Sequence, residues 1–185
     1  LPLNKITENK MKNYFLIVAA CLIFSASPAK AQHTDASGEV ALTEKNLGGP
    51  RLGVTYMFLN KKGQQKIDEN GIGNLVSQFG WHFEYQVMPE GGGPQFVIEF
   101  VPLVAGVEYG KFIPSSTLGF GIRFPSGIEL GLGPNFLVTD EGVDTGLMMA
   151  FGKSFVYGNV SLPVNLVAVK NPSGVRVAMI FGYAL

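Results

Sequence analysis

Leu118-Gly119-Phe120-Gly121-Ile122-Arg123-Phe124 alternates without a break between large apolar residues and small or charged ones. Successive side chains of a strand point to opposite faces. The run therefore predicts a strand with one greasy face of Leu, Phe, Ile and Phe and one sparse face of Gly, Gly and Arg.

Seven further segments carry the same period. Residues 51–59 set Leu52, Val54, Tyr56 and Phe58 against Arg51, Gly53 and Thr55. Residues 76–88 set Phe79, Trp81, Phe83, Tyr85 and Val87 against Gln78, Gly80, His82, Glu84 and Gln86. A third segment starts near Gln95, with Phe96, Ile98 and Phe100 opposite Glu99, and its pattern blurs beyond that point. The others are centred on Ile128 to Phe136, on Leu147 to Phe151, on Val160 to Leu166 and on Val175 to Tyr183. Lengths near 9–11 residues suit tilted strands that cross a bilayer.

A soluble sandwich also alternates, but its water-facing surface is rich in Lys, Thr, Glu and Arg. Here the sparse face is largely glycine, which weakens an exposed strand yet suits the crowded interior of a narrow barrel. The expected fold is all-β, an eight-stranded antiparallel up-and-down transmembrane β-barrel over residues 51–185. Pro102, Pro134 and Pro163 fall within strands of a closed barrel, where a residue without an N–H is awkward.

Residues 11–31 read as a signal peptide: Lys12, an apolar centre from Phe15 to Phe24, and Ala29-Lys30-Ala31 before the cut. That apolar run is too short for a spanning helix. Residues 1–10 read as upstream sequence outside the fold, and residues 32–50 as a flexible periplasmic lead-in. Cys21, the only cysteine, lies in the leader, so the mature chain has no thiol chemistry. The 154 residues from Gln32 onward hold ten Lys and Arg and 13 Asp and Glu, a net charge of −3. That balance argues against a nucleic-acid partner.

The connections after the first, third, fifth and seventh strands are assigned to the outside, and three of these four are longer or more charged than the rest. Short turns and both termini then fall in the periplasm. Aromatics near both strand ends would form interfacial girdles. On the inward face, Arg51, Arg123 and Arg176 balance Glu84, Glu99 and Glu129, with His82 as a switchable member. Buried charges persist only when paired, so this set is expected to form a polar network that plugs the lumen.

With eight amphipathic strands in place, the chain resembles small outer-membrane barrels of the outer membrane protein A/X type, and in look those of Bacteroidetes. The features that carry the resemblance are the leader ending Ala29-Lys30-Ala31-Gln32 and the end Phe181-Gly182-Tyr183-Ala184-Leu185. The last residue departs from the terminal aromatic typical of such barrels. The resemblance implies a bacterial outer-membrane location and insertion by the barrel assembly machinery. It implies no activity, because barrels of this kind serve as anchors, adhesins, channels and enzymes.

No site for a cofactor or metal is expected. His82, Glu84 and Glu99 form an acid/base set without a serine placed beside it, so no catalytic residue is assigned. Asp68-Glu69-Asn70-Gly71 and Asp140-Glu141 with Asp144 lack the ligand order of a calcium loop and read as solvated loop charges. Gly91-Gly92-Gly93 lies between strands and reads as a turn. The expected role is structural or interactive, with outer-membrane lipid around the wall and a protein partner at the loops or the lead-in. A narrow pore for small solutes and a lipid-modifying enzyme stand as alternatives.

Overall fold

The eight alternating segments close on themselves. The computed structural model describes residues 42–90 and 92–185; the expected leader, residues 1–10 and residues 32–41 of the lead-in lie outside that range. The strands are β1 (Leu42–Leu59), β2 (Leu75–Pro89), β3 (Gln95–Ala105), β4 (Ile113–Arg123), β5 (Ile128–Thr139), β6 (Gly142–Tyr157), β7 (Val160–Asn171) and β8 (Gly174–Gly182). Each pairs antiparallel with its neighbours in the chain, and β8 returns to β1 to complete a barrel.

The stagger of that closure can be followed through the register. From Ala150 in one direction the partners run Gly131, Gly121, Val97, Gln86 and Lys45 of β1. In the other they run Val167, Ala178 and Thr55 of β1. The two paths meet β1 ten residues apart, and a shear of this kind tilts the strands by about 40° to the barrel axis.

Alternation settles the two faces as the sequence predicts. Leu52, Val54, Tyr56 and Phe58 of β1 point out, while Arg51, Gly53 and Thr55 are buried inside. The single Trp81 is 46% exposed and Met149 is 64% exposed, although both sit in the middle of long strands. Solvent-facing residues of that size on every strand make the wall an apolar surface from β1 to β8.

Two expectations are corrected. Residues 42–50, expected to precede the barrel, form the first half of β1 and pair with Trp81 to Pro89 of β2. Their polar side chains hide the strand, but a long β2 supplies a ladder whatever the side chains are. The fifth connection, expected to run from Thr139 to Thr145 and to be longer or more charged, is a charged two-residue turn at Asp140 and Glu141, closed by the pair Thr139–Gly142. Only the first and third connections are substantial on that end, hereafter the loop end; the end with the second, fourth and sixth connections is the turn end.

The first connection contains helix α1 (Lys61–Glu69), which the strand period could not reveal. Asn60 caps it by accepting from the Gly63 N–H at 2.8 Å. The same Asn60 donates to the Pro172 carbonyl at 2.9 Å, in the turn between β7 and β8. On the far side Lys66 donates to Glu141 at 2.5 Å. That contact holds the Glu141 carboxyl below the usual carboxylate range and the Lys66 ammonium above its own. The helix is thus tied to two separate turns. In the third connection, Glu108 accepts from both the N–H and the hydroxyl of Ser77, which depresses its carboxyl too.

The prolines are accommodated without a register shift. The β2–β3 ladder lapses between Gly80–Leu103 and Phe83–Phe100, where Pro102 offers no N–H, and resumes in the same register. The β4–β5 ladder lapses likewise between Thr117–Asn135 and Phe120–Leu132, beside Pro134. A glycine accompanies each lapse. A Cβ on Gly80 would collide with the Pro102 carbonyl, and one on Gly133 with the Leu118 carbonyl. Bare backbone lets the two strands close in where a hydrogen bond is missing. Pro163 faces inward at the turn end, where β7 has run past the last β8 partner, Phe181 opposite Val164.

Candidate functional site: a charged network in half of the lumen

The inward face changes character along the barrel. Toward the turn end it carries Gln86, Arg123, Glu129 and Ser154; farther in lie Glu84, Glu99, His82 and Arg51. Toward the loop end, β3 continues from Glu99 to Val101 and Leu103, and β8 places Ile180 and Ala178 at a similar height. Leu103, Ala178 and Ile180 pack as one buried cluster, with Val101 and Val167 against it. Beyond this apolar layer the lumen becomes polar again: Arg176 donates to Asn135 at 2.6 Å, and Asn135 donates to Thr117 at 2.8 Å.

Arg123 is the hub of the charged half. It ends β4, and alternation turns it inward next to Glu129, its direct partner on β5. Its Nε donates to Glu129 Oε1 at 2.5 Å. Its Nη1 and Nη2 reach past β3 to the two oxygens of Glu84 on β2 at 2.5 and 2.9 Å. One planar guanidinium thereby serves two carboxylates, and the fork geometry of arginine is suited to that. Glu84 also accepts from Gln86, two residues along the same strand, and lies 2.8 Å from His82 Nε2. A carboxylate only accepts, so Nε2 is the protonated nitrogen of His82. Glu129 takes a further hydrogen bond from the Ser154 hydroxyl.

The expected three-against-three pairing is therefore corrected. His82, Glu84, Arg123 and Glu129 form a connected set, and Glu99 stands at its margin with its carboxylate 4.0 Å from His82. Arg51 is buried beside the set, but its Nη1 meets no partner among the described residues. Arg176 does not join at all: its partner is Asn135, on the other side of the apolar layer. Alternation fixes only the face of a residue; its height depends on strand stagger. Gln86 and Ser154 complete the network and were absent from the expected set. Both have inward parity, which is the signal that marks them.

His82, Glu84 and Glu99 bring ligand-type atoms within 4.8 Å of one another. Both Glu84 oxygens already accept from Arg123, with Gln86 and His82 alongside, so a metal ion would have to displace a guanidinium. His82 is fully enclosed, and its hydrogen-bond partner is a carboxylate, with no hydroxyl nucleophile bonded to it among the described residues. A cavity of about 40 Å³ lies alongside, bordered by Glu99, Arg123, Glu129 and Asn165 and by the small residues Gly131 and Gly152. Space of that size holds a water or two.

No known family profile matches the chain. No curated protein matches it in sequence. The fold is similar to the crystal structure of Ail, the attachment invasion locus protein of Yersinia pestis. The match has 13% identity, covers 76% of this chain and 95% of that one, and has a TM-score of 0.47. That likeness is one of fold alone.

Proposed function

We propose that this chain is a small barrel of the bacterial outer membrane with a structural or interaction role, its lumen closed by the Arg123 network. One observation carries the reading: the outward face of every strand exposes large apolar side chains, while Arg51, Glu84 and Arg123 are buried inside. In water such a continuous apolar wall would drive aggregation, and in a bilayer it is the required surface. A closed barrel also satisfies every strand edge internally, as a spanning sheet must.

The network and the apolar layer above it favour a sealed interior over a pore. Arg123 ties β2, β4 and β5 together inside the lumen, and Leu103, Ala178 and Ile180 stack beyond it. The role is non-enzymatic, carried by the loop-end surface around α1 for a protein partner, with lipid around the wall and the barrel assembly machinery acting on insertion. Nucleic acid is no partner of so acidic a mature chain.

Cell fractionation combined with heat-modifiable gel migration tests the location. A folded band in the outer-membrane fraction that shifts on boiling is expected; a soluble periplasmic protein would overturn the architecture's membrane reading. Planar-bilayer recording tests the plug, with no stable openings expected. Discrete, sustained conductance would defeat it.

A further inference from the structure

Where β1 is paired on both sides, the outward positions of the eight strands carry two charged residues, and both are lysines. Lys153 lies on β6 and Lys170 on β7, so they share one stretch of the wall. Neither forms an ion pair among the described residues. Lone cations on an apolar wall are costly unless their stems run along it to a polar boundary.

The two lysines sit at opposite ends of the band. Lys153 lies over the ring of Phe155, 5.4 Å from its centroid, and Phe155 is two residues nearer the turn end. Lys170 lines a groove of about 470 Å³ at the loop end. Tyr56, Phe58 and Val175 make the apolar side of that groove, and Asn60 and Asn74 of the first connection make its polar rim. Such a groove matches the boundary between a lipid headgroup and its chains.

Their separation fits a membrane. Lys170 pairs with Leu147, six positions along β6 from Lys153. Six residues at about 3.4 Å each, tilted by about 40°, give an axial separation near 15 Å. Two ammonium groups reaching outward in opposite directions extend this toward the ~25 Å height of a barrel's apolar band.

We propose that Lys170, in its groove, and Lys153, at the opposite rim, each bind the phosphate of an anionic lipid, one in each leaflet, and so set the depth of the barrel. The proposal rests on the membrane reading above. Ammonium and phosphate are complementary, no carboxylate faces outward from β6 or β7 to compete, and an aromatic beside each lysine packs against the upper acyl chain.

The test folds the full chain into nanodiscs of phosphatidylcholine with one tenth phosphatidylglycerol and measures retained lipid by native mass spectrometry. Heat-modifiable migration of the same sample reports insertion. The wild type should retain phosphatidylglycerol above its share of the disc. Lys170→Gln should lower that enrichment about fivefold, Lys170→Arg should keep it, and the double variant with Lys153→Gln should abolish it. A chain that never inserts overturns the membrane reading and this assignment together. A chain that inserts but retains the two lipids in the supplied ratio, or whose Lys170→Gln variant matches the wild type, overturns the lysine assignment alone.

Discussion

The two halves of the lumen fill the same space by different means. Near the turn end, Arg123, Glu84, Glu129 and His82 hold one another in place through directed contacts. Toward the loop end, Leu103, Ala178 and Ile180 fill volume without direction. The inward faces of the same strands supply both. A charged network depends on each member having its partners, whereas an apolar cluster depends on shape and can relax around a change.

Removing the hub breaks the comparison most sharply. Arg123→Ala removes the only cation bonded, among the described residues, to buried Glu84 and half-buried Glu129, and breaking a buried pair from one side costs about 3–5 kcal/mol. Urea unfolding in detergent should register that loss; a midpoint equal to the wild type would mean that the network contributes little. Leu103→Ala should cost about 2–3 kcal/mol, because it opens a cavity that neighbouring side chains can partly fill. A larger loss there than at Arg123 would reverse the contrast. Ser154→Ala removes a single hydrogen bond to Glu129, which still has Arg123, and should cost about 1 kcal/mol by the same measurement.

The smallest effect lies outside the barrel. Glu141 is stabilised in its charged form by Lys66, so the tether is complete above the ordinary carboxylate range. It is lost as the pH falls through the lowered value of the folded state. Hydrogen exchange should therefore show the α1 amides losing protection in acid, and Glu141→Gln should reproduce that loss at neutral pH. Strand amides should stay unchanged; if they open as well, α1 is part of the barrel's own stability.

Much of the fold was legible because a strand's period is a property of the chain itself. Trp81 and Met149 point outward where alternation puts them, and His82 and Arg123 point inward. The remainder depended on neighbours. Residues 42–50 are strand because β2 is long enough to pair with them, and nothing in Gly48-Gly49-Pro50 advertises it. Helix α1 contains Gly63 and has no strong apolar stripe; Asn60 and Lys66 hold it by contacts to turns far away in sequence. The site divides the same way. All seven expected lumenal residues sit on inward positions, but only the ten-residue stagger decides that Arg123 meets Glu84 while Arg176 meets Asn135.

The seam between β1 and β8 has a consequence for how the barrel comes to exist. Gly48 exchanges backbone hydrogen bonds with Leu185, and β1 pairs with β8 from Arg51–Gly182 to Leu59–Gly174. The first and last strands thus meet across nearly the whole described chain. A contact so remote in sequence cannot form early at low entropic cost, and folds dominated by such contacts assemble slowly. Until that seam shuts, Arg123 has no enclosed lumen to organise. The charged network is therefore a late product of assembly, and a chain lacking β8 should stall as an open sheet.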